Sequence, residues 1–335
     1  VPVAGTLIIT ESDAFGKGIP KTVLRKASGI LVPRSFRAYT DAGMADRATH
    51  SLPDVDVVIP VYGERSEALA ATLSACRAQT YPIGRIIVVD DGSPEPVSLP
   101  GGAGDSGQTS LLRLDQNLGI SGARNAGIAR TAAPFVACIN TEVLPDPDWL
   151  ASCRNCLLSY AEAGACYTRL ESATPRRLLT RWRMRFLETK FGEQSGLAKF
   201  APGHAVLFRR EALEAVGGYD VRHRLHHEDS DIGQRMRKIG WETRYLAESR
   251  CVSIQKDTLK QLAAKELRES YWYSPAESSL LRLYFHLSKW TILRAGRNIL
   301  KGRIYFLPVD FAIWAAALCT ATARTLLPQR APGRK

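Results

Sequence analysis

Two apolar periodicities alternate along this chain, and the switches between them predict its elements. VDVVIPV, beginning at Val55, is a continuous β-branched run, the pattern of a strand buried on both faces. Ser66 is placed to cap a helix carrying Leu69, Leu73 and Cys76 at helical spacing. IIVVD, LLRL and PFVACIN predict three more strands, with a helix from about Ser121 and another opened by Pro147 and Trp149. This rhythm predicts an α/β fold: a mainly parallel sheet with helices on both faces. The second half is less regular. AVLFRREAL, from Ala205 to Leu213, reads as a strand turning into a helix, and ETRYL as a further strand. EDSDIGQRMRKIG reads as a helix with acids at its start, bases toward its end and Gly240 as its stop. From Ser278 to Arg303, Leu280, Leu283, Tyr284, Leu287 and Trp290 recur at helical spacing, and Arg282, His286, Lys289 and Arg297 fall on another side. That pattern fits a packed helix with a solvated face, or a basic amphipathic element on an anionic membrane.

Polar and glycine residues collect at the C-terminal ends of the early strands: VYGE at 61–64, DDGS at 90–93 and NLGISGARNAG at 117–127. Ligands of open α/β sheets bind at those ends, so three such ends predict a nucleotide pocket. Asp90 and Asp91 can accept hydrogen bonds from a base edge or ribose hydroxyls, although Asp-Gly is also good turn chemistry. In the third segment the glycines permit close backbone approach, Arg124 supplies a cation, and a helix start near Ser121 offers free N–H groups to phosphate. Neither a GxGxxG pattern nor a P-loop is present. HHEDSD at 226–231 adds carboxylates suited to general-base work, the alternative being helix capping.

VVIPVYGE, VVDDGS, NLGISGARNAG, PDPDWL, FRREALEAVGGYD and EDSDIGQRMRKIGW occur in the order of a family 2 glycosyltransferase, and the chain resembles that family from about Asp54 to Ser253. The resemblance implies a GT-A, Rossmann-like nucleotide-sugar domain at 54–257; it does not cover residues 1–53, read as an accessory segment, and residues 258–335 are read from their own pattern as a helical, basic, membrane-associated region. The resemblance also implies sugar transfer, usually with inversion, from a nucleoside diphosphate donor to a glycan, lipid-linked or other hydroxyl acceptor. The residues that it places on the donor are Pro60, Val61, Tyr62, Glu64, Asp90, Asp91, Asn117, Gly119, Gly122, Arg124, Asn125, Asn140 and Thr141. Gly203 and His204 fall on the acceptor side. The family's general base matches Asp229, with Glu228 orienting it or binding the acceptor.

Two departures bear on metal. The family's Asp-x-Asp, which holds magnesium or manganese against the diphosphate, reads Asn140-Thr141-Glu142, leaving Glu142 as the one ionised ligand beside a weak Asn140. The histidine that often completes the shell is replaced near Ser253 and Gln255, with Lys256 close by. The expected cation site is therefore weak, altered or absent, and a catalytically degenerate nucleotide-sugar-binding or scaffold protein is the alternative reading.

Charge and cysteine usage refine the picture. A formal net charge of +12 points to anionic partners, a nucleotide or a membrane surface. Nucleic acid is set aside because no aromatic-plus-basic module accompanies the charge. Seven irregularly spaced cysteines argue against a disulfide framework and for the cytoplasm, and the basic amphipathic pattern at 278–303 adds the expectation of peripheral attachment at the inner face of the cell membrane. Cys153 and Cys156 read as buried helical thiols. The run 311–323, bracketed by Asp310 and Arg324, is short against the roughly 20 residues of a membrane span.

Overall fold

The computed structural model describes residues 54–63, 65–100, 107–191, 193–223, 227–273 and 280–326. The accessory segment at 1–53 and the donor candidate Glu64 lie outside the described residues. The first half follows the βα rhythm: β1 (Val55–Val61), α1 (Ser66–Arg77), β2 (Ile86–Asp90), β3 (Thr109–Arg113), α2 (Gly119–Ile128) and β4 (Phe135–Ile139). Next come β5 (Val143–Pro145), α3 (Trp149–Ser159), β6 (Ala163–Ser172), α4 (Leu178–Phe191), β7 (Gly196–Ala198), β8 (Ala205–Arg209) and α5 (Arg210–Ala215). The chain continues through α6 (Glu228–Lys238), β9 (Glu242–Ser253), α7 (Leu259–Tyr273), α8 (Leu280–Leu300), a 3-10 turn (Ile304–Phe306) and α9 (Leu307–Leu326).

These strands form one sheet in the order β3-β2-β1-β4-β8-β6-β9-β5, with β7 also on β9. β1 lies parallel to β2 and β4, and β2 to β3, so their C-terminal ends share one edge. The second half departs from the parallel expectation. β8 runs antiparallel to β4 and β6, and β5 and β7 antiparallel to β9, which makes the sheet mixed. ETRYL proves to be the start of a 12-residue strand.

Every residue of β1, β2 and β4 is buried, as their predominantly apolar runs require, including Asp56 of β1 and Asp90 of β2. One core layer packs Leu69, Leu73, Trp149, Leu150 and Leu157 against one face of the sheet. The other packs Ala123, Phe208, Tyr219, Ile232 and Met236 against the opposite face. Gly127 marks where α2 crosses β1 and β2: a Cβ there would fall 2.4 Å from Val58 Cγ1 and 2.9 Å from Val89 Cγ2. Gly127→Ala should therefore cost about 1–3 kcal/mol of stability through overpacking. The expected readout is a lower urea midpoint at unchanged slope; an unchanged midpoint would mean that α2 moves aside freely.

The C-terminal helices have a core of their own, in which Trp182 of α4 packs with Leu262, Leu283, Leu287, Phe306 and Ile313. Asp310, fully buried on α9, accepts hydrogen bonds from Trp182 Nε1 (2.8 Å), Arg185 Nη2 (2.7 Å) and Asn298 Nδ2 (2.5 Å). One carboxylate thus ties α4, α8 and α9 together. The apolar run at 311–323 belongs to a longer helical stretch than its sequence predicts. Residues 304–323, with mean hydropathy 1.7, are long and apolar enough to cross a membrane, and 33% of that stretch is buried within the chain. On α8, Leu283 and Leu287 point inward, and the exposed side mixes Arg282, Lys289 and Arg297 with Leu281, Phe285, Ile292 and Leu300.

Candidate functional site

The aligned strand ends open into a cleft of 240 Å³ lined by Pro60, Val61, Tyr62, Arg65, Asp91, Asn117, Gly119, Ile120, Ala123, Asn140, Thr141 and Glu142. Pro60, Val61 and Tyr62 come from the end of β1, Asp91 follows β2, Asn117 and Gly119 open α2, and Asn140 to Glu142 follow β4. Asp91 shapes this wall as well as facing the cleft. Its carboxylate accepts from the backbone N–H groups of Leu118 (2.7 Å) and Gly119 (3.0 Å), where Gly119 has φ +78°. The carboxylate therefore orders the start of α2, a charge-assisted arrangement that suits a helix N-terminus. Thr141 is anchored by its hydroxyl to the Pro60 carbonyl at 2.7 Å.

Four residues expected on the donor do other work. Asp90 is fully buried and absent from the cleft wall. It accepts from the N–H groups of Ser93 (2.9 Å) and Val97 (3.2 Å) and pairs with Arg113, so its acceptor capacity is consumed in shaping the turn. Asn125 is spent on Tyr219, donating to its carbonyl at 2.7 Å and accepting from its N–H at 2.9 Å. Gly122 faces Leu118 instead of the cleft, and a Cβ there would lie 2.5 Å from Leu118 Cβ.

Arg124 is the fourth. Its side chain is 1% exposed, and it holds three groups at once: Glu228 Oε1 at 3.0 Å, Asn140 Oδ1 at 2.9 Å and the Gly203 carbonyl at 2.7 Å. The Tyr219 ring lies 5.0 Å from its guanidinium carbon. Burial opposes the charge, but neighbouring Tyr219 and Glu228 overcome it and hold the guanidinium above its ordinary pKa. Gly203 is required for this approach, since a Cβ at 203 would meet Arg124 Nη2 at 2.4 Å. The predicted phosphate cation is instead a buried tie between the donor strand end and α6.

On the far side of that tie, Glu228 is buried and paired, so it positions α6 and is not open to an acceptor. Asp229 is half-buried, and its carboxylate accepts from the Ser230 N–H at 2.7 Å while its carbonyl accepts from the Ala201 N–H at 3.1 Å. It does not line the 240 Å³ cleft. His204 is also buried, with Nε2 3.3 Å from the Thr168 carbonyl and its ring edge toward Tyr167, so it supports β6 and does not face an open site.

Sequence reasoning missed Arg65, whose Nη1 lies 2.6 Å from Glu142 Oε2 inside the cleft. Burial holds the Glu142 carboxyl above its ordinary range, opposed only in part by Arg65 and Arg183. Arg183 in turn is bonded to the fully buried Asp257 at 2.8 Å. Glu142 (φ 80°) and His227 (φ 70°) are the non-glycine residues with positive φ among those described, and they adjoin Asn140–Glu142 and Glu228–Asp229. Local backbone strain of this kind concentrates at functional sites. Asp220, His223 and Asp231 form a separate group whose ligand atoms lie within 4.8 Å of one another, but Arg222 and Arg235 already pair with its two carboxylates. The thiols of Cys153 and Cys156 are buried as expected and pushed up, by burial at Cys153 and foremost by a hydrogen bond to Cys166 at Cys156.

Residues 56–217 match the family model Glycosyl transferase family 2, and residues 190–327 match Glycosyl transferase family 21. Over these residues the chain is similar to the family 2 glycosyltransferases, and its fold is of GT-A type. It is 28% identical over 219 residues to the pre-mycofactocin glycosyltransferase of Mycobacterium tuberculosis, a match covering 62% of this chain and 45% of that protein. It is 29% identical over 177 residues to the glucosyl-dolichyl phosphate glucuronosyltransferase of Haloferax volcanii, covering 50% and 56%. The chain thus spans about half the length of these curated relatives. The solved structure of GalNAc-T7 with UDP, GalNAc and Mn2+ shares the fold at a TM-score of 0.51 and 15% identity, covering 76% of this chain and 58% of that one.

Proposed function

We propose that the cleft holds a nucleoside diphosphate sugar and that Asp229 is the base for inverting transfer to a hydroxyl acceptor. The observation that carries this reading is the Glu228 carboxylate, next to Asp229 in sequence, joined to the cleft through one buried cation. Arg124 binds Asn140 in the cleft and Glu228 on α6, which fixes Asp229 relative to the donor strand end. Inversion needs the acceptor oxygen to attack the anomeric carbon opposite the departing diphosphate. A carboxylate on the far side of the sugar can take the hydroxyl proton as that bond forms. The exposed face of α8, apolar and basic together, supports peripheral attachment to an anionic membrane surface.

A divalent ion fits poorly at 140–142. Asn140 offers a neutral oxygen that already accepts from Arg124, and the single carboxylate, Glu142, is paired with Arg65. Hard cations need several oxygen ligands. In this reading Arg65 supplies the positive charge beside the diphosphate. Its side chain is 46% exposed, so the Arg65–Glu142 pair adds little stability, at most about 1 kcal/mol. Arg65→Ala should therefore leave unfolding nearly unchanged and weaken nucleoside diphosphate binding about tenfold, the loss of one charge-assisted contact. Calorimetric titration of a panel of nucleoside diphosphates, with and without chelator, tests both points. Binding that vanishes in chelator and ignores Arg65→Ala would put a metal ion in that place. Donor binding without any transfer, across a panel of acceptors, would favour the degenerate binding protein.

A further inference from the structure

A second cavity, of 590 Å³, lies among β6, α4 and the turn at 303–306, and the donor account does not use it. Four arginines, Arg169, Arg181, Arg185 and Arg303, line it, with two acidic residues, Glu171 and Glu193. Glu171 is already 3.2 Å from Arg250, outside the cavity. Arg185 is satisfied from behind by Asp310, and Arg181 donates to the neutral hydroxyl of Tyr305 at 3.0 Å. Among the described residues neither Arg169 nor Arg181 forms an ion pair, and the Arg181 guanidinium also lies over the Tyr305 ring at 4.9 Å, so no carboxylate of the described residues neutralises these two lining arginines. Burial, with Arg294 and Arg303 close by, pulls the Arg185 guanidinium below its ordinary pKa although Asp310 opposes them, as expected where cations crowd together.

The location is as informative as the charge. Tyr245 lines this cavity and packs on Tyr167 at 5.2 Å, and the Tyr167 hydroxyl, pushed up mainly by burial, also feels the Asp229 charge. Strand β6 enters the wall at Arg169, directly after the Thr168 carbonyl that faces His204. The cavity therefore adjoins the Asp229 side of the fold. Its other rim is apolar: Phe306 and Tyr305 line it, and Ile304, 61% exposed, begins the stretch long and apolar enough to cross a membrane.

We infer that this cavity binds a phosphate ester, with the forks of Arg169 and Arg181 on the phosphate oxygens, and that the ester belongs to the acceptor. Arginine forks match phosphate geometry and keep their charge at any working pH. The apolar rim suits a lipid chain leaving toward α9, although a water-soluble phosphate ester offers the same headgroup chemistry. Assigning the ester to the acceptor rests on the transferase reading; the binding site itself does not.

The test is calorimetric titration of the full chain with inorganic phosphate and with decyl phosphate below its micellar concentration. Both should bind, and Arg169→Gln with Arg181→Gln should weaken each by at least about tenfold. Decyl phosphate binding more tightly than inorganic phosphate assigns the site to a lipid ester; equal affinities assign it to a soluble one. The single variant Arg181→Gln, at an exposed position, secures the comparison if the double variant melts early. Absence of binding by wild type, or affinities unchanged in folded variants, overturns the inference. Nucleoside diphosphate titration of the same variants separates this outcome from failure of the donor reading, because neither arginine lines the donor cleft.

Discussion

Replacing Arg124 with Met is expected to destabilise the protein by about 3–5 kcal/mol, the cost of leaving a buried charge without its partner. Arg124 is among the largest fully buried side chains, and its loss leaves Glu228 buried and unpaired and takes a donor from Asn140 and the Gly203 carbonyl. Methionine retains much of the aliphatic volume, so the effect reports charge and hydrogen bonding more than an empty cavity. Adding Glu228→Gln should recover part of the loss, since a neutral amide is cheaper to bury than a lone carboxylate. The two changes should be strongly non-additive in a double-mutant cycle read by urea unfolding. Additive effects, or a loss below about 1 kcal/mol, would show that the three-way contact does not organise the site.

The donor half of the fold was legible because burial on both faces forces long β-branched runs, as in VDVVIPV and IIVVD, and because ligands gather at the ends of such strands. Pro60, Val61, Tyr62, Asp91, Asn117, Gly119, Asn140, Thr141 and Glu142 all reach one cleft. Side-chain roles were less legible. Asp90 and Asp91 are adjacent and chemically alike, yet one turns inward to Ser93 and Arg113 and the other reaches Leu118 and Gly119. No one-dimensional pattern distinguishes two neighbours whose directions are set by a strand's pleat and the turn after it. Arg124 looked like a phosphate ligand because glycines surround it, whereas its partners are 16, 79 and 104 residues away in sequence. Arg65 was overlooked for the same reason, since Glu142 lies 77 residues downstream.

The C-terminal region shows a different limit. Of the predicted stripe, Leu283 and Leu287 are buried but Tyr284 and Trp290 are exposed, and Leu281, Phe285 and Ile292 interleave with it on the exposed side. Periodicity identifies a helix and one packed face; it does not say what covers the other. Asp310 appeared to be a charge bounding a short apolar run and is instead the buried anchor for Trp182, Arg185 and Asn298, residues supplied by two other helices.

The largest effect on turnover is expected of Asp229→Asn, which removes the proposed base. The amide preserves shape but cannot take the acceptor proton, so turnover should fall by about 10² to 10⁴, the range for loss of a general base. Asp229 lies outside the 240 Å³ cleft, so donor affinity should change little. Glu228→Gln should act mainly through stability, because Glu228 meets Arg124 in a buried pair. The decisive measurement is the rate of acceptor-dependent nucleoside diphosphate release by Asp229→Asn and wild type, alongside calorimetric donor affinity for both. The proposed mechanism predicts equal donor affinity with release slowed at least about a hundredfold. Near-wild-type release from folded Asp229→Asn would contradict it and place the base elsewhere.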